Sequence, residues 1–156
     1  DKLFEIIRLI RNLRAELALK PSQKISIYLI SDNNELLEFV DLLSQDIKSL
    51  TNSAELKILE SSKFNKQEFA KSFSGIIGDL EVYMPFEGLI DLSLLKERLL
   101  KDKSKVDQDI KVLNKRISNK NFIEKAPKEI VDECKIKLEE AYSKLLSISK
   151  KLEMLN

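Results

Sequence analysis

Val131, Cys134, Leu138, Ala141, Leu145, Ile148, Leu152 and Leu155 follow one another in steps of three and four. No other feature constrains the fold as tightly. The alternation lays one apolar line along a helix, and that line stays bare unless another helix covers it. The covering helix stands just upstream. "DLSLLKERLLKDKSKVDQDIKVLNKRIS", residues 91–118, contains no glycine or proline. It places Leu92, Leu95 and Leu99, then Val106, Ile110, Leu113 and Ile117, at similar spacing. Lys103 interrupts this seam once, and its long stem is expected to reach outward to water. Asp91 is placed to cap the helix, with Pro85 and Gly88 as punctuation before it. At about 1.5 Å per residue such a helix is about 42 Å long. Two such runs joined by a short turn must fold back on each other, so an antiparallel two-helix coiled-coil hairpin is expected.

The turn is "RISNKNFIEKAP", residues 116–127. Asn119 and Asn121 suit non-helical or left-handed backbone, and Pro127 suits the first turn of the second helix. Phe122 and Ile123 are expected to fold inward and plug the open end of the hairpin; the sharper reading makes Phe122 a contact for a partner.

Upstream of residue 90 the periodicity changes. Phe4, Ile7, Ile10, Leu13 and Leu17, widened by Leu3, Ile6 and Leu9, form a broad stripe over residues 3–19. A stripe that wide predicts a helix buried in a bundle, stopped by Pro21. "KISIYLI", residues 24–30, alternates as a strand does. Residues 35–51 read as one amphipathic helix through Leu36, Phe39, Val40, Leu43, Ile47 and Leu50. "ELKILE", residues 55–60, is a second strand, and residues 69–86 read as two strands around a turn at Gly78-Asp79. The fold class is therefore α+β: a small β-α-β-β layer followed by the hairpin. The helical pattern begins at Asp1 without a methionine, so the chain is read as the C-terminal part of a longer protein.

The composition narrows the chemistry. There is no histidine, one cysteine and three glycines in 156 residues. The commonest general base and metal ligand is missing, and no glycine-rich phosphate loop can be written. Cys134 sits on the seam as a small core residue. No catalytic or metal site is expected in this chain, and binding or positioning is the expected task. No apolar run approaches the ~18 residues that span a bilayer, no secretory signal opens the chain, and a single cysteine suits a reducing, cytoplasmic setting. Net charge is +1, but its distribution is uneven. Residues 91–127 hold ten basic and six acidic side chains, whereas residues 1–90 hold eleven and fourteen.

"KRISNKNFIEKAPKEIVDECKIKL" resembles the C-terminal signature of the valyl-tRNA synthetase family, through Ser118, Asn119, Phe122, Lys125, Ala126, Pro127 and Val131. Ile117 stands where the family usually has leucine. "MPFEGLIDLSLLKERLLK" is similar to the family's Pro-x-x-Gly-Leu-Ile-Asp segment, through Pro85, Gly88, Leu89, Ile90, Asp91, Arg98 and Leu99. "IRLIRNLRAEL" resembles the stretch that closes the anticodon-binding helical bundle, here Ile10, Arg11, Asn12, Arg14 and Ala15. The three segments keep the family's order. The resemblance implies a division into residues 1–20, the last helix of that bundle; residues 21–88, a small α/β domain; and residues 89–156, a coiled-coil arm that contacts the outer corner of tRNA.

The resemblance further implies a parent enzyme of class I that joins valine to its tRNA with ATP, in a monomeric, cytoplasmic protein. The ATP-binding, valine-binding and editing parts of the family lie outside this sequence. On the arm, the expected RNA-binding residues are Lys101, Lys105, Lys111, Lys115, Arg116, Lys120 and Lys125, because RNA phosphates call for mobile cations. Arg8, Arg11 and Arg14, spaced by three, either face the anticodon side or serve structure, with structure slightly favoured. Two other classes remain. One is a ribosome- or nucleic-acid-binding coiled-coil hairpin of an ABC-type ATPase, against which the α/β segment and the arginine-rich first helix count. The other is a structural coiled coil that pairs with protein; it predicts apolar residues outside the seam, and few appear.

Overall fold

In the computed structural model, which describes residues 1–89 and 92–156, the chain forms two compact units, Asp1–Asp91 and Leu92–Asn156. The cap assigned to Asp91, and the family position Ile90, lie outside the described residues.

In the first unit the Asp1 carboxylate accepts a hydrogen bond from the Leu3 N–H at 3.1 Å and caps α1 (Lys2–Glu16). α1 ends several residues before Pro21. Ala18 adopts φ +52, and the Leu19 N–H donates back to the Arg14 carbonyl. The broad apolar stripe that pointed to a bundle is covered inside this unit, where α1 packs on α3 (Ser44–Thr51) and β3 (Ser72–Ile77). Ile6 and Ile10 are fully buried, but Phe4 stays exposed.

The four strands are β1 (Ile27–Ser31), β2 (Leu56–Glu60), β3 and β4 (Leu80–Pro85). They form one mixed sheet in the order β2-β1-β4-β3. β1 and β2 are parallel, with Ile27 opposite Leu56; β4 is antiparallel to both β1 and β3. The β3–β4 turn falls at Gly78-Asp79 as read from the sequence. Gly78 takes φ +54, the left-handed region that glycine enters without a Cβ clash. A Cβ on Gly75 would stand 2.5 Å from the Leu9 Cδ1, so α1 lies against the face that carries Gly75. The register puts Gly75, Val82 and Leu29 on that face and Ser74, Tyr83 and Tyr28 on the other.

The single helix expected over residues 35–51 is two helices, α2 (Asn34–Leu42) and α3. α2 packs on β1 and β2, while α3 packs on α1. One straight axis cannot serve both surfaces, and the bend falls at Leu43 (φ −99, ψ 11). The Asn33 side chain caps α2 by accepting from the Leu36 N–H. Between β2 and β3, where the sequence pattern predicts neither helix nor strand before Phe69, there are two short 3-10 turns, Ser61–Lys63 and Lys66–Phe69.

The second unit is α4 (Ser93–Ser118), α5 (Lys120–Lys125) and α6 (Lys128–Leu155). α4 packs along α6. The Lys96 ammonium donates to the Asn156 side chain, and the Asn114 amide donates to the Tyr142 hydroxyl, so the two long helices run in opposite directions. Their contact line is the one read from the spacing. Leu95, Leu99, Val106, Ile110, Val131, Cys134, Ala141 and Leu152 are buried, and Leu138, Leu145 and Ile148 pack half-buried around the Val106–Ile110–Ala141 cluster. Lys103 is half-buried at the seam interruption.

The turn differs from expectation. Residues 120–125 are helical, not a bare loop, because the Asn119 side chain accepts from the Asn121 N–H at 3.0 Å and starts α5. Asn119 is extended (φ −82, ψ 111), Asn121 is helical, and Pro127 is the cap residue of α6 rather than a member of its first turn. Neighbouring residues on a helix point about 100° apart, so Phe122 and Ile123 cannot both turn inward. Phe122 is half-buried and Ile123 is 46% exposed.

Candidate nucleic-acid interface

The seam directs everything else on α4 outward. At about 100° per residue, Lys101 falls on the side of α4 opposite Leu99, Val106 and Ile110, and Lys105 on a flank, about 120° from that line. Lys111 lies on the other flank and Lys115, one turn on, joins Lys101 opposite the seam; Arg116 is in the last turn of α4, and Lys120 and Lys125 begin and end α5. All seven are exposed. Among the described residues none of the seven forms an ion pair. By contrast Lys137 of α6 is held by Glu133 at 3.0 Å. Long side chains with no partner keep their rotamer freedom and can follow a phosphate backbone.

A groove runs along one side of the α4–α6 contact. It is lined by Val106 and Ala141 together with the charged residues Asp109, Arg116, Lys137, Glu140 and Lys144. Lys137 and Lys144 are not among the cations expected from the sequence. Their separation of seven, two helical turns, was the available signal, since it puts both on one flank of α6.

The apolar residues outside the seam are more numerous than expected: Leu94, Leu100, Val112, Ile130, Ile136, Tyr142 and Leu146 are all exposed. On α6 they follow in steps of six, six and four. A step of six turns a helix by about 240°, so these residues scatter around the axis and make no second stripe for a partner helix.

In the first unit the three arginines separate. Arg14 is 9% exposed and donates to the carbonyls of Asn52 (3.3 Å), Lys20 (3.1 Å) and Gln23 (2.6 Å). Burial pushes its pKa below the usual guanidinium value. Arg11 donates through Nε and Nη2 to the Leu50 carbonyl at 3.2 and 2.9 Å. Arg11 therefore ties α1 to the end of α3, and Arg14 ties it both to the residue after α3 and to the loop before β1. Arg8 is exposed. Among the described residues no group of histidine, cysteine, aspartate and glutamate is placed to hold a metal ion, and no helix is long and apolar enough to cross a membrane.

Residues 91–156 match the family model described as "Valyl tRNA synthetase tRNA binding arm". A valine–tRNA ligase of Prochlorococcus marinus subsp. pastoris is 61% identical over 99% of the chain and 17% of its own length. One from Parasynechococcus marenigrum is 40% identical over 86% of the chain and 15% of its own length. One from Thermotoga maritima is 34% identical over 97% of the chain and 17% of its own length. The chain thus spans about a sixth of the length of these curated relatives. With the match extending through both units and the arm model covering all of the second, the chain belongs to the valine–tRNA ligase family.

Proposed function

We propose that residues 89–156 are the tRNA-binding arm of a valine–tRNA ligase, in which α4 and α6 wind as an antiparallel coiled coil and present their outer cations to tRNA phosphates. The observation that carries this reading is the set of seven exposed cations on α4 and α5 that form no ion pair among the described residues, within the segment matched by the arm model. In the same reading the whole protein joins valine to its tRNA with ATP, as a cytoplasmic monomer, and this chain positions tRNA without taking part in the chemistry. Residues 1–20 close the anticodon-binding bundle and residues 21–88 form a small α/β domain. On the anticodon side Arg8 is the exposed candidate, since Arg11 and Arg14 are engaged by backbone carbonyls. A coiled coil suits the task because its seam needs only one side of each helix, leaving the rest for charge.

The test is a titration of valine tRNA against the full-length enzyme at several salt concentrations. The Lys111→Ala, Lys115→Ala, Lys120→Ala triple variant should lower the salt slope by about 0.7–0.9 for each phosphate left without its cation, with its melting curve unchanged. An unaltered slope would reject the arm as an RNA-facing surface.

A further inference from the structure

We propose that the groove along the α4–α6 contact holds one nucleotide of the RNA: its phosphate on Arg116 and Lys144, its hydrogen-bond donors on Asp109 and Glu140, and its base or ribose against Val112. The proposal rests on the reading of residues 89–156 as a tRNA-binding arm. It adds the flank that faces RNA, a cation supplied by α6, and recognition beyond phosphate charge.

The two flanks of the helical pair differ. On one, the Asn114 amide donates to the Tyr142 hydroxyl at 3.1 Å and spans the two helices. Two residues along a helix turn it by about 200°, so Arg116 and Lys144 stand on the other flank. There Asp109, Val112 and Arg116 of α4 line a groove of about 370 Å³ with Glu140 and Lys144 of α6. The four charged side chains are exposed, and none of them forms an ion pair among the described residues, although both signs of charge line one groove. Their donors and acceptors therefore face water and are open to an occupant. Lys137, which also lines the groove, is held by Glu133 at 3.0 Å. Val112 keeps 49% of its surface exposed, so free apolar surface is on offer as well.

The chemistry of the lining selects the occupant. Two unpaired cations match phosphate oxygens. Carboxylates repel phosphate, so a track for phosphate alone has no use for Asp109 and Glu140. A nucleotide meets both sets of groups. Its phosphate is anionic, while its base N–H groups and ribose 2′-hydroxyl are neutral donors that a carboxylate accepts. Its flat base or its ribose covers the open side of Val112. A partner helix would instead call for an apolar stripe, and the exposed apolar residues of α6 make none.

The experiment titrates valine tRNA against the full-length enzyme at several salt concentrations, with melting curves for every variant. Lys144→Ala should weaken binding about fivefold and lower the salt slope by about 0.7–0.9. Lys135→Ala is the control. Lys135 stands nine residues before Lys144, about 180° around α6, and its loss should change neither quantity. Glu140→Ala should weaken binding about threefold with the slope unchanged, because it deletes an acceptor; a track for phosphate alone predicts tighter binding. All three side chains are exposed, so the melting curves should not move. Tighter binding by Glu140→Ala, or equal effects of Lys144→Ala and Lys135→Ala, would overturn the proposal. A lowered slope in the triple lysine variant beside unchanged binding by Lys144→Ala and Glu140→Ala would sink this inference alone and leave the arm reading in place.

Discussion

The two units bury their apolar residues to different depths. In the first, Ile10, Ile27 and Val82 are completely covered, because helices close over one face of a sheet. In the second, apart from Leu95, the buried seam residues keep 6–9% of their surface exposed. Two helices share a single contact line, and water flanks it on both sides. The sheet unit concentrates its stability in a closed core; the helical pair spreads a weaker stabilisation along its length and leaves most of its surface to charge. Such a surface can change its cations with little effect on folding.

That contrast can be broken by experiment, beginning where the largest effect is expected. Ile10→Ala empties a fully enclosed site and should cost about 4 kcal/mol in denaturant unfolding of the chain; a reduction below about 1 kcal/mol would show that α1 is not part of the closed core. Arg14→Leu removes the donor shared by three carbonyls and should cost about 2–3 kcal/mol. Full stability in that variant would mean that the loop before β1 finds other donors. Leu138→Ala acts on a half-buried seam position, so about 1–2 kcal/mol is expected, less than a fully buried leucine would forfeit. A destabilisation as large as that of Ile10→Ala would erase the distinction between the units.

The smallest effect concerns pH. Tyr83 is pushed up to about 12 by burial and by its hydrogen bond to the Glu81 carboxylate at 2.9 Å, whose charge adds to the shift. A raised phenol favours the folded state while it stays protonated. This contribution is complete below the ordinary tyrosine value near 10 and is lost as pH climbs towards 12. Ultraviolet titration should show one tyrosine ionising near 12, and Tyr83→Phe should remove that step. A step that survives in Tyr83→Phe would assign it elsewhere.

Much of this was legible in short-range patterns. The three-four spacing of Val131 to Leu155 places the seam, since a helical period needs only a few residues to declare itself. β4 and the Gly78 turn follow from alternation and from a glycine where φ is positive. Other features had no local signature. α5 is six residues long, too short for a period, so the Asn119 cap was the only available sign of it. The bend at Leu43 carries no glycine or proline; it arises because α2 and α3 face different surfaces. The partners of Arg11 and Arg14 lie as far as 39 residues away in sequence, and no spacing within α1 reveals them.

The sequence by itself determined which segments are helix or strand in outline, that α4 and α6 need each other, and to which family the chain belongs. These follow from periodicity and from motifs read over a few consecutive residues. The tertiary structure alone decided which cations are engaged and which remain unpaired, that α1 is covered by α3 and β3, and that Tyr28, Phe64, Phe69 and Tyr83 meet on one face of the sheet. Those outcomes depend on strand order and register, which bring together residues that are distant along the chain. Only the folded path of the backbone sets those distances.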